Sequence, residues 1–340
     1  MSNKEILFED DHIQVIYVKE PSEDIVITFS TLTKFADGSY VFAERPLVNL
    51  GYSIIGFVAK KGNWYPNSSV ELSFSKIYSI IDNYRTIIGY GGSMGGYAVL
   101  KYSKSLKMSK AISFIPQYSI NPTIIKDERY NGYYKKDINQ GMEITANDIS
   151  LSCRYQLVFD PYFGLDTQHI NMIKPLLKDL IITHLKFSGH GAAYILAGSN
   201  LLNSFLSNEF DNLHYNKLVR QHKKENIFYF NYLFEKHYKR HPLLFYKLFN
   251  GISNANKSKI NPNIHRNLIN SLILNGFDID SISLKHQSRI PKKFIKTHSG
   301  SLLSYNLISN KISNYDYKYI LTYPNIIKLI LFHENYIYTL

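Results

Sequence analysis

The sequence has a single cysteine, Cys153, and a single tryptophan, Trp64, among its 340 residues. One thiol excludes an internal disulfide and any zinc-finger framework, and it fits a reducing compartment; no metal-ligating set is expected. No apolar run approaches the roughly 18 residues that a membrane-spanning helix needs, so no transmembrane segment is expected. Residues 1–12 are acidic and lack the apolar core of a secretory signal, so a Sec export signal is not expected and the cytoplasm is the default location. Charged residues are sparse, at 19% against 45% hydrophobic, a balance that excludes a disordered or collagen-like chain. At roughly 100 to 200 residues per domain, the length suits one large or two medium domains.

Acidic residues are scarcest toward the C-terminus. The last 140 residues carry 19 Lys plus Arg against 8 Asp plus Glu, whereas the first 200 carry 20 against 19. The net charge of +12 is therefore almost entirely C-terminal. Such a face concentrates polyanions, whether nucleic acid, anionic lipid or acidic polysaccharide, and the same composition also suits a solvated Lys-rich surface. No recognisable nucleic-acid module accompanies it, which makes nucleic acid the weakest of these partners.

The first 200 residues alternate between two periodicities. Segments 24–30 and 52–59 are short β-branched apolar runs and predict buried strands. Val70, Phe74, Ile77, Ile80 and Ile81 recur at helical spacing over 70–84. Further strands are expected at 86–90, 111–115, 154–159 and 185–187, with helices over 96–106 and over 167–180 behind Asp166 as a candidate N-cap. Strands alternating with helices in this way predict an α/β domain, with a mostly parallel sheet covered by helices on both faces.

The sharpest motif is Gly91-Gly92-Ser93-Met94-Gly95, a G-x-S-x-G directly after one of these strands and opening a helix. A nucleophilic serine on so tight a strand-to-helix turn needs glycine two residues to either side, where a Cβ would meet crowded backbone. The turn also brings the Met94 N–H and the helix N-terminus toward a developing oxyanion. A Gly-rich turn can instead hold phosphate, but here there is no Lys-Ser/Thr ending and no G-x-G-x-x-G.

A serine nucleophile needs a base and an orienting acid, which follow it in chain order on this kind of fold. Of His169, His184 and His190, only His190 sits in a small-residue loop after a strand, Ser188-Gly189-His190-Gly191. Two acids qualify, Asp160 and Asp166, both beyond strand 154–159; Asp166, on the loop entering the next helix, is preferred. Ser30 and Thr31, after the first apolar strand, are candidates for a second oxyanion donor. Trp64 and Tyr65 are candidates to wall an acyl or sugar pocket.

With elbow, acid loop and histidine loop in this order, the first 200 residues resemble the α/β-hydrolase superfamily. Within it they resemble the bacterial capsule and surface-polysaccharide O-acetyltransferases. The likeness rests on Ile27-Thr28-Phe29-Ser30, Gly92-Ser93-Met94-Gly95-Gly96, Pro116-Gln117, Asp166 three residues before His169, and Gly189-His190. It implies a Ser93–Asp166–His190 triad, Gln117 near the substrate pocket, an acetyl-enzyme formed from acetyl-CoA, and transfer to a carbohydrate hydroxyl, that of an anionic polysaccharide included. A carbohydrate or carboxyl esterase with the same triad is the close alternative, and a glycan-binding protein that keeps the fold without catalysis is the distant one. The sequence departs from the family in Met94 after the nucleophile and in a long C-terminal extension. That extension reads as a mostly helical basic region over 201–290, with Phe228, Phe230, Phe234, Phe245 and Phe249 at core-forming spacing, and a small β-rich module over 291–340.

Overall fold

The computed structural model describes residues 3–196, 199–207, 211–253, 257, 259–274 and the strand segments 293–297, 302–306, 316–323, 326–333 and 336–339. The chain divides into two compact units, Met1–Lys223 and Lys224–Leu340.

The first unit is built on an eight-stranded sheet of order β1-β2-β4-β3-β5-β6-β7-β8. Strands β3 (Asp24–Phe29), β4 (Ser53–Ala59), β5 (Thr86–Gly92), β6 (Lys110–Phe114), β7 (Arg154–Phe159) and β8 (Asp179–His184) run parallel. β1 (Asn3–Glu9) and β2 (Ile13–Lys19) form an antiparallel hairpin at one edge, and β2 pairs antiparallel with β4. This mostly parallel sheet with helices in its crossovers is the α/β architecture that the sequence predicts. The central strands are buried because they are continuous apolar runs covered on both faces. Phe29 of β3 stacks on Phe57 of β4 with ring centroids 4.6 Å apart, and neither ring reaches solvent.

Helices α1 (Glu44–Asn49), α2 (Asn67–Ile81), α3 (Met94–Lys101) and α5 (Gly164–Ile173) fill the crossovers. α2 buries Val70, Ile77 and Ile81 of the stripe its spacing predicts, together with Ser69 and Ser73, while Phe74 and Ile80 are half-buried. The connection between β6 and β7 is long and irregular; it carries a 3-10 turn at Glu128–Tyr130 and the short α4 (Lys136–Asn139).

The last strand differs from expectation. The sequence predicts a helix over 167–180 and a strand at 185–187. In the structure α5 stops at Ile173, a 3-10 turn containing Pro175 follows, and β8 begins at Asp179. Proline removes the donor the helix needs, and Ile181-Ile182-Thr183 is β-branched. Phe187 takes a left-handed φ of 62° instead of an extended one.

The unit closes with α6 (Ala192–Ile195), α7 (Ser199–Leu206) and most of α8 (Asn212–Glu225). Phe205 of α7 packs edge-on against Phe114 at 5.2 Å and Tyr215 at 5.3 Å, which joins these helices to the sheet.

The second unit contains α9 (Ile227–His237), α10 (Pro242–Gly251) and a helix at Pro262–Leu274. Phe230, Phe234, Phe245 and Phe249 meet between α9 and α10, with Phe234 edge-on to Phe245 at 5.6 Å. The unit also has a five-stranded antiparallel sheet, β9 (Lys293–Thr297), β10 (Leu302–Asn306), β11 (Asp316–Tyr323), β12 (Ile326–His333) and β13 (Tyr336–Thr339), in order β13-β12-β11-β10-β9. β9 and β10 pair antiparallel from Thr297 opposite Leu302. Among the described residues, no helix is long and apolar enough to cross a membrane.

Candidate active site

Ser93 occupies the residue between β5 and α3 with φ 53° and ψ −119°, a conformation costly for a residue with a Cβ. The surrounding backbone holds it there. The Ser93 N–H donates to Phe114 O at 2.9 Å, and its carbonyl accepts from Tyr97 N–H at 2.9 Å. A Cβ on Gly91 would come within 2.5 Å of Gly95 O, and one on Gly95 would overlap Phe29 O. Both flanking glycines are therefore sterically required, as the motif predicts.

Ser93 Oγ lies 2.9 Å from His190 Nε2. His190 Nδ1 in turn lies 2.9 Å from both oxygens of Asp166. A carboxylate only accepts, so Nδ1 carries the imidazole hydrogen and Nε2 presents its lone pair to the serine hydroxyl. Asp166 is buried, at 1% side-chain exposure, while His190 is 30% exposed and open to incoming groups. Asp166 stands in the first turn of α5 behind the N-cap residue Phe163; it does not cap the helix.

Asp160 does a different job. Its two oxygens accept from the Tyr162 N–H at 3.0 Å and from the Gly189 N–H at 2.9 Å, fastening the loop before α5 to the loop that carries His190.

A second layer of charge supports Asp166. Arg129 donates to Asp166 at 2.8 Å and to both oxygens of Asp127, and Asp127 accepts from His169 Nε2 at 3.1 Å. His169 Nδ1 accepts the Tyr118 N–H at 3.0 Å, so both ring nitrogens of this fully buried histidine are engaged by groups other than Ser93. Burial alone would raise the Asp127 carboxyl; hydrogen bonds from His169 and Arg129 outweigh it and hold the group well below the usual carboxylate range. Arg129 is held above its ordinary value against the pull of burial by Asp127 and Asp166. No spacing in the sequence links Arg129 to an acid 37 residues away.

The remaining sequence candidates fall on both sides of the line. Gln117 is fully buried, with Nε2 3.4 Å from Ser93 Oγ, 3.2 Å from Ile115 O and 3.0 Å from Tyr130 Oη. Trp64 and Tyr65 are buried rather than lining an open pocket, with φ of 54° and 55°. The Trp64 indole donates to Gln117 Oε1 at 3.1 Å, and Tyr65 Oη donates to Ser30 O at 2.8 Å. They are struts because the backbone around Asn63 turns their rings inward, and Asn63 Oδ1 accepts the Tyr65 N–H at 3.0 Å. The Ser30 N–H is committed to Phe57 O at 3.0 Å, its Oγ accepts from Ala59 N–H, and its hydroxyl hydrogen goes to Tyr65 Oη at 2.9 Å, so Ser30 has no donor to offer an oxyanion. Among the described residues the N–H groups of Thr31 and Met94 make no hydrogen bond, and they flank the elbow from β3 and α3. Tyr130, on the irregular β6–β7 connection, escaped the sequence reading; its hydroxyl lies 3.2 Å from His190 Nε2.

No family model and no curated protein matches the sequence. Among solved structures the chain is similar to the capsule O-acetyltransferase of Neisseria meningitidis serogroup A, at 14% identity and a TM-score of 0.43, covering 63% of this chain and 93% of that one. A mutant of that enzyme has been solved in complex with CoA. The chain is also similar to an esterase of Pyrococcus furiosus, at 12% identity and a TM-score of 0.42 over 61% of this chain and 92% of that one. A fluorophosphonate-binding serine hydrolase of Staphylococcus aureus matches at 12% identity and a TM-score of 0.41, covering 56% and 93%.

Proposed function

We propose that the protein is a serine acyltransferase that O-acetylates a bacterial capsular or surface polysaccharide, with acetyl-CoA as the donor and Ser93, His190 and Asp166 as its triad. One observation carries the acyl-transfer reading: the unbroken relay from Asp166 through both nitrogens of His190 to a serine oxygen on a strained elbow. The acetyl donor and sugar acceptor follow from the motif likeness, and the basic C-terminal excess suits an anionic acceptor.

In the first half-reaction His190 Nε2 takes the hydroxyl proton as Ser93 Oγ attacks the thioester carbonyl. Asp166 holds the tautomer and stabilises the imidazolium. The oxyanion is received by the N–H groups of Met94 and Thr31. His190 returns the proton to the departing CoA thiolate, leaving acetyl-Ser93. In the second half a sugar hydroxyl gives its proton to His190 and attacks the acetyl carbonyl; the bond from the acetyl group to Ser93 Oγ breaks, and His190 returns the proton to that oxygen. Water in place of the sugar would make the same site an esterase.

Intact-mass measurement after incubation with acetyl-CoA, and separately with p-nitrophenyl acetate, tests this. An adduct of about 42 Da from acetyl-CoA on wild type and none on Ser93→Ala is the expected result. Turnover of the ester with no reaction toward acetyl-CoA would replace the transferase by an esterase. Retained turnover in Ser93→Ala would remove the triad altogether.

A further inference from the structure

Tyr130 belongs to no motif, yet its hydroxyl meets the same nitrogen that faces the nucleophile. Tyr130 Oη is 3.2 Å from His190 Nε2, beside the 2.9 Å contact of Ser93 Oγ with that atom. The hydrogens can be placed by elimination. The Trp64 indole only donates, so Gln117 Oε1 is the accepting end of the amide and Nε2 the donating end. One Nε2 hydrogen goes to Ile115 O at 3.2 Å; the other goes to Tyr130 Oη at 3.0 Å rather than to Ser93 Oγ at 3.4 Å. The Tyr130 oxygen is then accepting, and its own hydrogen is directed to His190 Nε2. That nitrogen has one lone pair, because Nδ1 carries the imidazole hydrogen toward Asp166. Two hydroxyls compete for one acceptor, and Ser93 is the nearer.

We infer that Tyr130 is a catalytic hydrogen-bond donor that changes partner during acyl transfer. The inference rests on the triad reading above. In the resting enzyme Ser93 holds that lone pair at the shorter distance and the phenol O–H shares it at the longer one, so the phenol stabilises neutral His190 as the weaker of two donors. Once Ser93 has given its proton to Nε2, that nitrogen is itself a donor and no longer accepts from Tyr130. The phenol O–H then turns to the oxygens of the tetrahedral adduct on Ser93, where negative charge has just developed; it donates a hydrogen bond and loses no proton. A donor released at that step stabilises the transition state more than the ground state, which is the condition for acceleration. The ring is held for this. It sits edge-on to Trp64 at 5.2 Å, with the Arg129 guanidinium 5.0 Å from its centroid, so the hydroxyl turns about its own C–O bond while the ring stays fixed. Burial pushes the phenol well above its ordinary pKa, which keeps the hydrogen in place through the neutral range.

Tyr130→Phe keeps the ring and removes only the hydroxyl. With p-nitrophenyl acetate as the probe, kcat should fall roughly 10- to 100-fold with KM changed less than about twofold. The acid limb of kcat/KM should also move up by about half a pH unit, since removing a donor to the neutral imidazole raises the pKa of His190. A hydroxyl that merely completes the Gln117 network would leave that limb in place. Gln117→Met should shift the profile in the same direction by less, because the phenol loses only its orienting donor. A Tyr130→Phe enzyme with kcat within about twofold of wild type and an unmoved acid limb overturns the inference, as does a Gln117→Met defect larger than that of Tyr130→Phe. Ser93→Ala in the same assay separates the two levels: if it is inactive, a wild-type-like Tyr130→Phe sinks the Tyr130 role alone, and if it turns over, the triad reading falls first.

Discussion

Two buried aspartates lie near His190, and their partners assign them opposite roles. Asp166 meets the imidazole and Asp160 meets a backbone N–H one residue before it. Asp166→Asn would leave the ring in place but offer it an amide, which accepts Nδ1–H poorly and favours the wrong tautomer. A loss of about 10³- to 10⁴-fold in kcat is expected. Asp160→Asn keeps one acceptor for the Gly189 N–H and should lose far less; the larger loss in Asp160→Asn would reverse the assignment. Asp127 gives a stability test with a definite sign. Its pKa is depressed in the folded protein, so it contributes stability above the unfolded carboxylate value of about 3.9, and that contribution is lost as pH falls further. The stability gap between wild type and Asp127→Asn in urea titrations should therefore narrow below about pH 4.

Elements were legible where local pattern and tertiary role agree. β3 to β5 are β-branched runs and β6 and β7 short buried apolar ones, and the elbow glycines are legible because a close backbone approach leaves no alternative. β1 is not legible because Lys4, Glu5 and Glu9 leave this edge strand only the three-residue apolar run Ile6-Leu7-Phe8 to announce it. β8 was displaced because Leu176, Leu177 and Leu180 continue a helical spacing that Pro175 interrupts. Arg129 and Tyr130 were invisible for another reason: their partners arrive through the fold, and the segment that carries them has no period. Lys110, the first residue of β6, shows how an element end can be tested. It is 6% exposed, its ammonium donates to Ser207 O, and burial with the nearby Arg154 charge lowers its pKa to about 8. The unfolded chain holds this proton to about pH 10.4, so between about pH 8 and 10 the unfolded state binds more protons and this group's contribution to stability rises with pH. Burial pushes the Cys153 thiol up to about 12, which acts in the opposite direction over the same range. The difference between wild type and Lys110→Met isolates the lysine. Any advantage of the methionine variant at neutral pH should shrink steadily from about pH 8 to 10, and a constant difference would show that the ammonium is not the cause.

At the scale of the whole molecule, chemistry and charge are carried by different stretches of chain. Every residue placed in the candidate site, from Thr31 to His190, lies in the unit Met1–Lys223, while the basic excess lies beyond residue 200. The helix that ends the first unit buries Tyr215 and Val219, so a chain ending after Glu225 keeps that helix whole. Such a chain is expected to hydrolyse p-nitrophenyl acetate at a rate within a few-fold of full length, because none of the groups that touch Ser93 or His190 has been removed. Its grip on a polyanion should differ. Full-length protein bound to an acidic polysaccharide column should elute with a steep dependence on salt, since each neutralised charge releases a counterion, and the shortened chain should elute early with a shallow one. If the two elute alike, the C-terminal charge is a solvated surface and the acceptor is held by the first unit alone. If the shortened chain folds, as judged by its thermal transition, yet loses ester turnover, the second unit contributes to the site itself and the separation of chemistry from charge is wrong.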